Sequence, residues 1–234
     1  MKKLRVLFAA VIILVSLSSV YSQTPIKLNL TAGANFPGGE FGEMYKTGLS
    51  IEGGVFYSIP KAPVDLTLTV GYNGFTYKNE YFTDLVTKNL GVGVSGFNPE
   101  WTASDIPIMV GVKYNFTAAG FSPYIWGETG IHLLSFKDRL TGRVIGNSSN
   151  PTTFNTSGAT ESGSETAFGY SVGAGVTIPI APKIGIDLNV KYAGNSGIFS
   201  KEYEVFRNNN SKFTNPEMKN MSFITARAGI LITL

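Results

Sequence analysis

Residues 222–234, SFITARAGILITL, decide the fold. Ile224, Ala226, Ala228, Ile230, Ile232 and Leu234 fall on one face, with Phe223, Thr225, Arg227, Gly229, Leu231 and Thr233 on the other. This is the period-two alternation of a β-strand, and it runs to the last residue. Such a strand needs a neighbour on each side. At the edge of an open sheet it would leave apolar, unpaired backbone exposed, whereas pairing with the first strand closes a barrel and removes the edge.

The same alternation recurs along the chain. Residues 26–36 (IKLNLTAGANF) set Ile26, Leu28, Leu30, Ala32, Ala34 and Phe36 against Lys27, Asn29, Thr31, Gly33 and Asn35. Residues 49–59, 64–77, 105–116, 123–134, 166–180 and 183–193 repeat the pattern, so the terminal strand is the eighth. Connections alternate in length. The stretches 37–47, 78–104, 135–165 and 194–221 are long, whereas those at 60–63, 117–122 and 181–182 are tight turns. That is the layout of an up-and-down antiparallel transmembrane β-barrel of eight strands with long external loops. The stretch 147–164 is almost all Ser, Thr, Asn and Gly, and is expected not to order itself independently.

The first 22 residues, MKKLRVLFAAVIILVSLSSVYS, carry basic Lys2, Lys3 and Arg5, an apolar run and small residues before Gln23. They predict a signal peptide over 1–22, cleaved near Ser22, and a barrel domain over 23–234. The apolar run is too short for a spanning helix, which needs roughly 20 residues. Lys2, Lys3 and Arg5 account for the whole formal charge of +3, leaving a near-neutral mature chain with no electrostatic case for nucleic acid as a partner. Charged residues make up 15% of the chain, against about 25% in soluble domains, a surface poorly suited to water. With no cysteine there is no disulfide framework, thiolate metal site or lipid-modified cysteine.

A soluble ligand-binding barrel would hide the apolar face and expose the polar one. Here the polar face is rich in Gly, Ser, Thr and Asn with few charges, which suits the narrow interior of eight strands and turns the apolar face to lipid. Aromatic residues on the apolar face gather at its two ends. Tyr57, Tyr114 and Phe116 stand toward the turns, and Phe36, Tyr72, Phe168, Tyr170 and Tyr192 toward the loops, forming two interfacial girdles.

The ending Arg227, Gly229, Ile232 and Leu234 resembles the C-terminal signal by which bacterial outer-membrane barrels are recognised for assembly. DIPIMVGVKYNF followed by SPYIWGETGIHL resembles the fourth and fifth strands of the outer membrane protein beta-barrel domain family, which includes OmpA- and OmpX-type barrels. The resemblance implies a bacterial outer-membrane location, with outer-membrane lipid and the assembly machinery as partners. Leu234 stands where the family usually has an aromatic residue, and no peptidoglycan-binding domain is expected.

Chemistry-bearing signals are few. GVGVSG at 91–96 matches a dinucleotide-binding glycine pattern, but FNPEWTASD follows it instead of a helix, so the glycines read as loop punctuation. His132 and Glu128 share the polar face and could form an acid/base pair. Lys27, Glu52, Asp65, Lys113, Asp187, Lys191 and Arg227 lie on that face too, and the nine together are expected to fill the lumen with a hydrogen-bonded ion network. No cofactor or metal is expected. Tyr81, Phe82, Trp101, Phe136, Phe199, Tyr203, Phe206 and Phe213 give the loops an aromatic character suited either to an ordered cap or to an extracellular ligand. The expected function is a non-enzymatic, monomeric barrel with a structural or surface-interaction role. A small pore or lateral route for apolar molecules is the alternative, and a lipid-modifying enzyme built on His132 the third.

Overall fold

A computed structural model describes residues 26–80, 84, 98–116, 120–145, 153–156, 160–196, 202–203, 213–214 and 220–234. Eight strands form the wall: β1 Ile26–Gly38, β2 Gly48–Ser58, β3 Val64–Thr76, β4 Asn98–Asn115, β5 Ser122–Ile145, β6 Thr160–Ala181, β7 Ile184–Asn195 and β8 Met221–Thr233. Each pairs antiparallel with the next, and β8 returns to β1 through Leu28↔Ile232, Ala32↔Ala228 and Phe36↔Ile224. The backbone N–H of Leu234 donates to the Ile26 carbonyl at 3.0 Å and finishes the seam. Closure leaves the terminal strand no free edge within the wall.

The faces sort as the alternation requires. Leu30, Ile51, Val70, Val110, Ile125, Val172, Val190 and Ile230 are exposed on the outside, whereas Thr31, Asn35, Asp65, Thr69, Asp105, Ser171, Asp187 and Thr225 are buried within. Polar residues inside and apolar residues outside are the inverse of a soluble barrel, so the belt faces lipid. The aromatic residues named above at both ends of the belt are all on this outer face.

The seam depends on two glycines. A Cβ on Gly229 would stand 2.6 Å from the Thr31 Cα, and one on Gly33 2.7 Å from the Arg227 Cα. Both lie between β1 and β8, whose backbones there approach too closely for any side chain.

All four long connections that read as loops in the sequence are partly regular. The first holds a one-turn helix, α1, Gly39–Met44, entered through Gly39 at φ +55. Its six residues are too few for a helical apolar period to show. β4 begins at Asn98, β5 continues to Ile145 and β6 begins at Thr160, so much of 78–104 and 135–165 is strand. These ends pair with one another, as in Trp101↔Asp138 and Lys137↔Ser162, while Thr153–Thr156 pairs with the far end of β5. The Ser/Thr/Gly-rich composition predicts no independent order. Ladder hydrogen bonds to a neighbouring strand order Thr160–Ser164 instead, without a core of their own.

Candidate functional site: a packed lumen beneath an aromatic plug

The inward face of each strand delivers its polar side chains to one column. At the turn end, Asp65 accepts from Lys27 Nζ at 3.0 Å, Ser58 Oγ at 2.6 Å and Asn115 Nδ2 at 2.9 Å. Above it the Lys113 ammonium stands 3.5 Å from the centre of the Tyr124 ring and 5.2 Å from that of Phe56, a cation held by aromatic faces. The Tyr124 hydroxyl donates to Asp187 at 2.7 Å, as do Thr177 at 3.1 Å and Asn189 at 2.8 Å.

The middle of the lumen is occupied by Glu52, which pairs with both Lys191 and Arg227, the latter through Nη1 at 2.6 Å. Arg227 Nε also donates to Asn189 Oδ1 at 3.0 Å, joining this cluster to the Asp187 group. Glu128 accepts from the hydroxyls of Thr67, Thr69 and Ser171 at 3.1–3.2 Å. Ions sequestered from water are tolerated when paired and hydrogen-bonded in this way. The cavity enclosed by Glu52, Lys113, Glu128, Asp187 and Arg227 holds about 20 Å³, room for a single water.

Nearer the loop end, His132 Nδ1 meets Asp105 Oδ1 at 2.9 Å, and Asp105 also accepts from Asn73 at 3.0 Å. Ser50 and Asn35 donate to the Asn73 side-chain oxygen at 2.9 and 3.1 Å, and Thr225 donates to Asn35 at 2.7 Å. His132 and Glu128 both stand in the lumen but do not pair with one another: Asp105 on the adjacent strand takes the imidazole and hydroxyls take Glu128. Asp105, Asn73 and Asn35 do not stand out in the sequence, although their parity, shared with Lys113, Asp65 and Lys27 respectively, places them inside. Chemically, a nucleophile would need to touch the imidazole. Ser50 is separated from His132 by an amide and a carboxylate, and His132 Nε2, packed over Gly169, has no hydrogen-bond partner among the described residues. No grouping of three metal-ligating side chains occurs among the described residues.

Above this network the mouth is stoppered. Phe41 of α1 drops into it fully buried, its ring 4.9 Å from Phe75 and 4.6 Å from Tyr45, with Phe75 in turn 5.3 Å from Phe223. Lys78 fastens the helix by donating from Nζ to the Gly42 carbonyl and from its backbone N–H to Met44. Rings packed tilted and edge-on at these separations form an apolar seal.

The other residues expected to matter are placed as follows. Arg227 points into the lumen, Gly229 lies at the seam, Ile232 is exposed on the lipid face and Leu234 bonds to β1. Trp101 and Phe136 stand in β4 and β5 and not in loops, and Tyr203 and Phe213 pair across two short segments, Glu202–Tyr203 and Phe213–Thr214. Tyr81, Phe82, Phe199, Phe206 and the 91–96 glycine stretch lie outside the described residues.

Neisserial surface protein A has a similar fold, with a TM-score of 0.52 at 13% identity over 90% of this chain and 98% of that one. A major outer membrane protein from Thermus thermophilus matches equally well, at a TM-score of 0.52 and 14% identity over 89% and 99% of the two chains. No curated protein matches the sequence. The family model for the outer membrane protein beta-barrel domain matches residues 7–229, nearly the whole chain. With its closed eight-stranded wall, lipid-facing belt and polar interior, the chain belongs to the outer membrane protein beta-barrel domain family, whose place is the bacterial outer membrane.

Proposed function

We propose that this protein is a non-conducting, non-enzymatic barrel that holds a surface-interaction platform at the cell exterior. The observation that supports this reading is the obstructed lumen: an ion cluster around Glu52 with space for one water, under a mouth sealed by Phe41. A pore needs continuous water, and that core offers none. The interacting parts are then the loop-end extensions of β4, β5 and β6 with their connections, presented by a rigid wall to an extracellular ligand or surface. On this reading residues 1–22 are removed as a signal peptide. Arg227, Gly229, Ile232 and Leu234 present the terminal strand to the assembly machinery, and the protein works as a monomer in outer-membrane lipid.

Two experiments test it. Purified protein inserted into planar bilayers is expected to give no conductance steps. The Phe41→Ala/Tyr45→Ala variant is expected to stay silent as well, because the Glu52–Lys191–Arg227 cluster still blocks the lumen. Discrete steps from the unmodified protein would support a pore instead. His132→Ala is expected to leave the lipid composition of cells unchanged, since no nucleophile contacts the imidazole among the described residues. A lipid species that disappears with His132 would make this an enzyme.

A further inference from the structure

The loop half of the seam between β1 and β8 is poor in side chains. Its outer face pairs Ala32 with Ala228 and Ala34 with Ala226, and its inner face pairs Thr31 with Gly229 and Gly33 with Arg227. Between β3 and β4, by contrast, the outer pairs are Leu66 with Val112, Leu68 with Val110 and Val70 with Ile108. Cross-strand side-chain pairs give a sheet much of its lateral cohesion, and alanine and glycine supply the least of it. Over 31–35 and 225–229 the seam therefore rests on its backbone ladder and on the bond from Thr225 Oγ to Asn35 Oδ1 at 2.7 Å.

Two interior ties step across this thin line. At mid-height Glu52 of β2 reaches over β1 to Arg227 of β8. At the loop end the tie is α1, which leaves the end of β1 and lies against β8 as well. A Cβ on Gly42 would stand 2.6 Å from the Pro37 carbonyl oxygen, so the helix rests directly on the end of β1. On the β8 side, Ser222 Oγ donates to the Gly38 carbonyl at 3.5 Å. The Phe41 ring then meets Phe75 of β3, and Phe75 meets Phe223 of β8. With Met221 these rings are buried, an apolar knot at the top of a polar lumen that would be exposed to water if the strands parted there.

We propose that the β1–β8 seam is the line along which the wall opens, and that α1 is the clasp that holds its loop end shut. While α1 is docked, parting β8 from β1 has to break the aromatic knot as well as the ladder. Once α1 withdraws, the alanine-lined stretch keeps only its backbone bonds and opens first. The device is independent of whatever the outer ends of β4, β5 and β6 contact.

The test is residue-resolved amide exchange, read by NMR on the full protein in micelles. Phe41→Ala is expected to speed exchange about ten-fold at the backbone N–H groups of Ala34 and Ala226, which face each other across the seam. Asn73 and Asp105, which pair across β3 and β4 beneath the same mouth, are expected to keep their rates. That comparison separates opening of the seam from entry of water alone. Lys78→Met, which only unfastens α1 from the Gly42 carbonyl, is expected to give a smaller rise at the same two seam amides, and it decides the matter if Phe41→Ala does not fold. Glu40→Gln, on the exposed side of α1, is expected to change neither pair. A heat-sensitive gel shift equal to that of the unmodified protein establishes that a variant is folded. Seam amides that keep their rates, or an equal rise at Asn73 and Asp105, would overturn the proposal.

Discussion

Replacing Glu52 with alanine is expected to destabilise the folded barrel by about 3–5 kcal/mol, the usual cost of stripping one partner from a buried ion pair. Glu52 faces two cations, Lys191 and Arg227, whose side chains are each only 2% exposed. Its loss leaves both without a counter-charge in a space that admits about one water. Urea unfolding in lipid vesicles reads this as a lowered midpoint. Glu52→Gln keeps an acceptor for Arg227 and removes only the charge, so its midpoint should fall between those of the alanine variant and the unmodified protein. Adding Lys191→Met to Glu52→Ala should restore part of the loss, because one stranded charge is removed with its partner. A shift below about 1 kcal/mol for Glu52→Ala would mean that water reaches the cluster and screens it as at a surface. That result would also undermine the non-conducting reading of the lumen.

The second large effect is expected at the seam. Gly229→Val places a branched side chain where the backbone of β1 already stands, the Thr31 Cα being 2.6 Å from the Cβ position. Overpacking between side chains costs typically about 1–3 kcal/mol, and backbone cannot yield as a side chain does. Under denaturant at the midpoint of the unmodified protein, the ratio of compact, unboiled to unfolded protein on a detergent gel should therefore fall about ten-fold or more. Ala228→Val, one residue away but turned to lipid, supplies the control and should leave that ratio unchanged. If Gly229→Val closed normally, the tight approach of β1 and β8 would not be a requirement of closure.

Much of this arrangement is legible in the residues because a strand's period of two is an unusually rigid code. In β1, β2, β3, β7 and β8 a narrow lumen and a lipid belt demand opposite chemistries at successive positions, so parity alone places Lys27, Glu52, Asp65, Asp187, Lys191 and Arg227 on one face. Parity is silent about partners. A shared strand puts His132 and Glu128 on one face but about 13 Å apart, and Asp105 on the neighbouring strand reaches the imidazole because the β4–β5 register brings the two together. Where one face no longer meets lipid the code weakens. The outer ends of β5 and β6 therefore look like linker in the sequence, although their ladder continues unbroken through Phe136↔Gly163 to Arg139↔Thr160. α1 is hidden for another reason: Phe41 gains its burial from the barrel mouth, which the local sequence does not describe.

The unequal strand heights set how far the protein reaches. At about 3.3 Å per residue, the part of β5 from Ser135 to Ile145 amounts to roughly 35 Å of strand. The headgroup layer on one side of a bilayer is only about 5–8 Å deep. Even strongly tilted, the blade made by β4, β5 and β6 passes through that layer and stands clear of it on one side of the barrel. Because its strands continue those of the wall without a break, the blade is a fixed spar and not a tether. On the surface-interaction reading proposed above, it holds the platform at a set distance and bearing from the bilayer.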